Sequence, residues 1–233
     1  MASDEIKVMS SGGLKAVISE LAGAFERASG QKLAPVFGPP TTVKTRIEGG
    51  EAVDVAVMSA TLIDDLVRQR KLVGDSRVTL ARSGMGVAVR KGAPKPDIST
   101  TEAFRRTLLA AKSIVATDPA GGGASGIHFQ KVIEQLGIAS EVMAKTRLNS
   151  GSYNAEFVAR GEAELAIQQI SEIVPVTGAE LVGPLPDAVQ LTTIFAAAVG
   201  TNAPAPAAAQ ELIRFLASPE AADVIKATGM EPG

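Results

Sequence analysis

The chain has 233 residues, enough for one large domain or two of about 110, and its 23 basic and 25 acidic residues give a net charge of −2. That balance leaves no electrostatic footprint for nucleic acid, and 3% aromatics with no Trp leave no platform for stacking bases or sugars. The absence of Cys excludes disulfides, thiol catalysis and cysteine metal sites, and the single His, His128, leaves little for a transition-metal centre.

No apolar run reaches the ~20 residues that a membrane helix needs. Met1-Ala2-Ser3-Asp4-Glu5 has neither the basic start nor the apolar stretch of a secretory signal. Two expectations follow: a cytoplasmic protein, or an exported one whose signal has been removed.

The spacing predicts a strand over Ile6–Ser10, running into Ser10-Ser11-Gly12-Gly13. Leu14, Val17, Ile18, Leu21 and Phe25 then mark one helix face, with Gly30 as its stop and Ser10 or Ser11 as its N-cap. A strand over Lys32–Phe37 leads through Gly38-Pro39-Pro40-Thr41-Thr42 to a helix on Val43 and Ile47, closed by Gly49-Gly50. Val53–Met58 reads as a buried strand, and Ser59-Ala60-Thr61 opens a helix on Leu62, Ile63, Leu66 and Val67. This βαβαβα rhythm argues for a parallel sheet with helices packed on it.

Around Arg77–Arg90 the rhythm changes to two strands with no helix between them, a place for the chain to cross to a second domain. Ser99-Thr100-Thr101-Glu102 reads as a capping box for a helix through Leu108 and Leu109. The segment Ser113–Gly137 combines a short strand (Ile114–Thr117), a glycine-dense turn (Gly121–Gly126) and a helix on Phe129, Val132, Ile133 and Leu136. A strand passing through glycines into a helix start gathers free N–H groups and the positive end of a helix dipole, which suits an anion.

Two phosphate-loop motifs do not fit. Gly121, Gly123 and Gly126 match G-x-G-x-x-G, but Asp118-Pro119-Ala120 separates them from the strand and the ribose-binding acid is missing. Ile127-His128 stands where a nucleotide-binding loop needs Lys-Ser/Thr.

A strand over Lys145–Leu148 follows, then Asn149-Ser150-Gly151-Ser152-Tyr153 and a helix ending at Gly161. Strand Glu164–Gln169 ends in Gln168-Gln169, followed by Ser171-Glu172. Gly183-Pro184-Leu185-Pro186 reads as a connector, Leu191–Val199 as a long strand, and Pro204–Ala217 and Ser218-Pro219-Glu220 onward as two terminal helices. Four strand-to-helix junctions thus carry Ser, Thr or Gly: Ser10/Ser11, Thr41/Thr42, Gly121–Ser125 and Ser150–Ser152. In parallel sheets such junctions share one edge, where their N–H and O–H groups converge on a small anion.

The ordered set IKVMSSGGLKAVISELAGAFERASG, FGPPTTVKTRIEGGEAVDVAVMSA, TDPAGGGASGIHF, VARGEAELAIQQISEI, GPLPDAVQLTTIF and IRFLASPEAADVIKATG resembles the type II periplasmic binding proteins of the molybdate/tungstate-binding family. The resemblance covers nearly the whole chain. It implies a two-lobed α/β fold with mixed sheets, helices on both faces of each, and the ligand in the cleft between lobes. Lobe 1 is expected over residues 1–81 plus 192–233 and lobe 2 over 82–191, with crossovers near Leu80–Ser83 and Val189–Thr193. It further implies a periplasmic, monomeric receptor that captures a small anion for an ABC-type permease, without cofactor, metal or nucleic acid.

Carried onto this sequence, the expected ligand-binding residues are Ser10, Ser11, Thr41, Thr42, Gly123, Ala124, Ser125, Ser150, Ser152, Tyr153 and Gln169, with Arg82 and then Lys15 as the fixed cation. The chain also departs from the family. Thr41 stands where Ser is usual, Gly122-Gly123-Ala124-Ser125 replaces a proline-containing turn, and amides at Gln168-Gln169 replace an aromatic hydroxyl. Gln168-Gln169-Ile170-Ser171-Glu172 resembles a branch that handles larger organic acids and includes aconitate isomerase. The alternative expectation is therefore an isomerase of an unsaturated tricarboxylate on the same scaffold. Its catalytic candidates are His128, one turn into the glycine-loop helix, and Tyr153; Glu172 is a third acid–base group, expected first as a helix-cap partner.

Overall fold

The structure, a computed structural model, describes residues 5–151 and 153–233. The chain begins with β1 (Glu5–Ser10), α1 (Lys15–Ser29), β2 (Lys32–Phe37), α2 (Pro40–Glu48), β3 (Val55–Ser59) and α3 (Ala60–Arg68). It continues with β4 (Val78–Arg90), α4 (Thr101–Ala110), β5 (Ile114–Thr117), α5 (Ala124–Gln135), α6 (Ala139–Met143), β6 (Thr146–Asn149) and α7 (Ala155–Ala159). Then follow β7 (Leu165–Gln169), β8 (Ala179–Pro184), β9 (Thr192–Val199), α8 (Pro206–Leu216), α9 (Pro219–Ala227) and β10 (Glu231–Pro232). These elements form two compact units, one running through Ser83 and resuming at Thr193, the other spanning Gly84–Thr192.

In the first unit the helical crossovers leave β1 parallel to both β2 and β3, while β9, returning late in the chain, pairs antiparallel with β3. Strand alternation sorts the apolar residues onto two faces. Ile6, Val8, Val55 and Val57 meet Val17, Ile18, Leu21 and Phe25 of α1 and Leu212, Ile213 and Leu216 of α8. Met9, Ala56 and Met58 meet Val43 and Ile47 of α2 and Ile63 and Leu66 of α3. The buried Asp54 ties this unit together, with Oδ2 accepting from the Lys7 N–H at 2.9 Å and Oδ1 from the Ala205 N–H at 2.9 Å.

In the second unit β7 and β6 flank β5 in parallel, and β4 runs antiparallel to β7 and β8. Val87, Ile114, Ala116, Leu165 and Ile167 bury one face against Phe104 and Leu108 of α4 and Phe129, Val132 and Ile133 of α5. Ala88, Val115 and Ala166 bury the other against Phe157 and Val158 of α7. Each unit is therefore a mixed sheet covered by helices on both faces, the α/β class expected from the sequence.

Three local expectations need correction. Arg77–Arg90 contains one continuous strand, because its glycines serve packing and not a turn. A Cβ on Gly86 would come within 2.9 Å of Ile170 Cγ1 and Leu181 Cδ1. The connector expected at Gly183-Pro184 is the end of β8, where Pro184 is the last residue of the strand and pairs with Gly86. The capping box read over Ser99–Glu102 is a simple N-cap one residue later: Thr100 accepts from the Ala103 N–H at 3.1 Å, while the Ser99 hydroxyl donates to Asp97.

Candidate anion-binding site

Parallel pairing brings the carboxyl ends of β1 and β2 to one edge of the first unit, with Ser10 opposite Phe37. Ser11 starts the 3-10 turn Gly12–Leu14 that feeds α1, and that turn packs closely enough for a Cβ on Gly13 to lie 2.3 Å from Phe195 Cζ. Ser10 is buried and its hydroxyl donates to the Ser11 carbonyl at 2.9 Å. Ser11 is the N-cap of the turn but makes no side-chain cap bond, and its N–H goes to Val57 O at 3.1 Å. Thr41 and Thr42 are exposed in the first turn of α2. At the same edge the Lys15 ammonium stands 5.9 Å above the Phe37 ring. Arg82 is exposed on β4, opposite Glu231 of β10 in the strand register.

In the second unit the ends of β5, β6 and β7 form the corresponding edge, at Thr117, Asn149 and Gln169. A Cβ on Gly126 would lie 2.4 Å from Thr117 O, so α5 starts directly on the end of β5. Its N-cap is Gly123, which offers no side-chain bond to the first-turn N–H groups that every helix leaves without an internal partner. Ala124 opens the helix, and the buried Ser125 donates to Thr117 Oγ1 at 3.2 Å. Asn154, also buried, donates to Thr117 Oγ1 at 3.1 Å and to Ile167 O at 3.0 Å, and accepts from Asn149 at 2.9 Å. Ser150, exposed, donates to Asp118 Oδ2 at 3.0 Å, and the other carboxylate oxygen of Asp118 accepts from the Ala120 N–H. Tyr153 is half-buried just before α7, and Ser152 lies outside the described residues.

Two buried amides close β7. Gln169 is paired with Met85 in the β4–β7 register. Gln168 has both ends of its carboxamide in use, accepting from the Ala155 N–H at 2.8 Å and donating to Glu172 Oε2 at 2.9 Å. Burial pushes the Glu172 carboxyl above the ordinary carboxylate range, against the opposing effect of the Gln168 bond. His128 is half-buried on α5, its Nε2 2.9 Å from the Val189 carbonyl. A carbonyl only accepts, so Nε2 carries the hydrogen and Nδ1 is the basic nitrogen. Among the described residues no three His, Asp or Glu side chains gather as metal ligands would.

Both edges present small polar groups where strands end, and the sequence as a whole bears out what that pattern implies. The family model of the bacterial extracellular solute-binding proteins matches residues 6–231. The chain belongs to this family. Among its relatives is an aconitate isomerase from a Pseudomonas species, 38% identical over 233 residues that cover 97% of this chain and 87% of the relative. Another is the molybdate-binding protein ModA of Azotobacter vinelandii, 28% identical over 97% of this chain and 89% of the relative.

The solved periplasmic molybdate-binding protein of Azotobacter vinelandii superposes with a TM-score of 0.81 at 20% identity, over 97% of this chain and 98% of that one. The sulfate-binding protein SubI of Mycobacterium tuberculosis gives 0.76 at 16% identity, over 98% and 86%. At those identities the likeness establishes the fold, which is the periplasmic-binding-protein fold.

Within this solute-binding family member, the structure brings Gly123, Ala124, Ser125 and Gln169 to one edge of the second unit, and Ser11, Thr41, Thr42 and Lys15 to one edge of the first. Thr117, Asn149 and Asn154 were not singled out from sequence, although they organise the second edge. Their signal was slight: a Thr ending an apolar strand, and an Asn directly before a helix face that begins with Ala155.

Proposed function

We propose that this protein is a receptor for a small organic anion bearing several carboxylates, taken up at the donor edge of the second unit. The observation that carries this reading is the junction of β5 and α5. There a twelve-residue helix follows a glycine N-cap, which has no side chain to cap the first N–H groups. The hydroxyls around it bear on the ligand class. Ser125 donates to Thr117 and Ser150 to Asp118, so hydroxyl protons of the kind a tetrahedral oxyanion would use are directed within the protein. The 38% identical aconitate isomerase favours a carboxylate. The family description supports a location outside the cytoplasm; in this reading the receptor is periplasmic and monomeric and delivers its ligand to a membrane permease.

The test is thermal unfolding with molybdate, tungstate, sulfate, citrate, cis-aconitate and trans-aconitate. A ligand at 100 times its dissociation constant adds ~2.7 kcal/mol, a rise of roughly 5–10 °C for a chain of this size. A rise with the tricarboxylates is expected. A rise with molybdate or tungstate alone rejects the carboxylate class and leaves an oxyanion receptor.

The second reading is turnover: interconversion of the aconitate isomers on the same scaffold. It is favoured by the identity to the aconitate isomerase, which is ten percentage points above that to the molybdate-binding relative.

A further inference from the structure

Besides the phenol of Tyr153, three acid–base groups stand at the ligand edge of the second unit and its flanking helix, and their hydrogen bonds separate them. Asp118 has both oxygens occupied, one by the Ala120 N–H and one by the Ser150 hydroxyl. His128 is fastened through Nε2 to the Val189 carbonyl. Among the described residues, Glu172 is held through one oxygen only, by an amide whose own orientation is fixed. Gln168 must turn its oxygen to the Ala155 N–H, which forces its NH2 toward Glu172. That donor suits a carboxylate oxygen, and equally the carbonyl oxygen of a protonated carboxyl, so Glu172 can gain and lose a proton at Oε1 without breaking its anchor.

The position is also suitable. Glu172 sits in the 3-10 turn Ile170–Glu172, directly after the end of β7. Its anchor Gln168 binds the first residue of α7, next to Asn154, and Asn154 binds Thr117 where α5 begins. Glu172 is thus joined to the proposed anion-binding junction through two hydrogen bonds of Gln168, the Asn154–Ala155 peptide and the Asn154–Thr117 hydrogen bond.

We propose that Glu172 is a catalytic acid–base residue that moves an allylic proton on an unsaturated tricarboxylate. The inference rests on the reading that the chain takes up such an anion. In the step, the Glu172 carboxylate removes a proton from the methylene carbon beside the double bond. The C–H electron pair forms a new C=C bond, the old π pair moves to the far carbon, and that carbon accepts the proton back from Glu172. One proton leaves one carbon and one arrives at another, with no change of oxidation state and no co-reactant. Burial, which raises the carboxyl above its ordinary range, makes the carboxylate a stronger base for this task.

The experiment compares wild type, Glu172→Gln and Glu172→Asp. Isomer interconversion is followed by proton NMR in D2O, binding of each aconitate by calorimetry, and folding by circular dichroism. Gln is nearly isosteric and can still accept from Gln168. The expected result is that E172Q binds both isomers as wild type does while interconversion falls roughly 10²–10⁴-fold, with E172D between the two. Interconversion by E172Q at the wild-type rate overturns the assignment. Should E172Q fail to fold, E172D decides, and a wild-type rate in folded E172D overturns it. Wild type that binds the aconitates without interconverting them also overturns it and leaves the receptor reading standing. Wild type that neither binds nor interconverts them removes the carboxylate reading as well.

Discussion

Gly126 gives the sharpest test of the β5–α5 junction, because two opposing effects of one methyl group can be weighed. Inside a helix, Gly→Ala is favourable by roughly 0.5–1 kcal/mol through backbone entropy. Here, however, the added Cβ would meet Thr117 O at 2.4 Å, Thr117 C at 3.0 Å and Pro119 N at 3.1 Å. All three atoms are backbone, so no side chain can swing aside. Restoring ordinary contact distances requires α5 to withdraw from β5 by on the order of 1 Å. Overpacking of this kind costs about 1–3 kcal/mol, and rigid backbone neighbours put it toward the upper end.

The net loss is then about 1–2 kcal/mol, a fall in melting temperature of roughly 2–8 °C. Gly151→Ala is the control, since a Cβ there meets nothing within 4 Å, and its effect should stay within about 0.5 kcal/mol. Thermal melts with and without the best tricarboxylate read both consequences. G126A should melt lower and respond less to the anion, while G151A should match wild type in both respects. A G126A protein that melts with wild type and keeps its full ligand response would refute the claim that this close approach builds the site.

The remaining predictions concern caps, charges and the histidine. Thr100→Ala removes the bond to the Ala103 N–H and should cost about 1 kcal/mol; Ser99→Ala should be near neutral in the same melts, and the reverse order would restore the capping box read from sequence. Glu51 is held at about 2 by Arg46 and then Lys7. Its folded pKa lies below the unfolded value near 4.5, so its contribution is present above pH 4.5 and is lost as pH falls through about 2. The gap in melting temperature between wild type and Glu51→Gln should therefore close between those values, and a pH-independent gap would reject the pairing. Nitrogen NMR of His128 should show the Nε2–H tautomer in the neutral ring, because Val189 O can only accept; an Nδ1–H tautomer would remove that contact.

Much of the fold was legible because it rests on one-dimensional signals. The helix faces of Val17, Ile18, Leu21 and Phe25, and of Phe129, Val132 and Ile133, recur at helical spacing and are buried as that spacing requires. Thr117 and Gly137 bound their elements where strand propensity and a left-handed glycine say they should, Gly137 having φ +66°. Glycine misled where it serves proximity instead of turning. Gly86 looks like a break in Arg77–Arg90, yet it lies mid-strand because Ile170 and Leu181 occupy the space a side chain would need. Those two residues are far away in sequence, so no local window could have revealed the reason.

The site was less legible for a related reason. Residue type says that a hydroxyl can donate, but only the fold decides to whom. Ser10, Ser125 and Ser150 look alike as helix-start donors in sequence, and their protons go to Ser11 O, Thr117 Oγ1 and Asp118 Oδ2 respectively. Gln168 looked like half of an amide pair replacing an aromatic hydroxyl. In three dimensions it is the link that fixes Glu172, because its oxygen is claimed by a helix start 13 residues earlier. Counting donors along the chain therefore overstates what remains for a ligand. Tracing each polar atom to its partner leaves fewer groups, and it moves attention from the serines toward the first turn of α5 and the single-anchored carboxyl of Glu172.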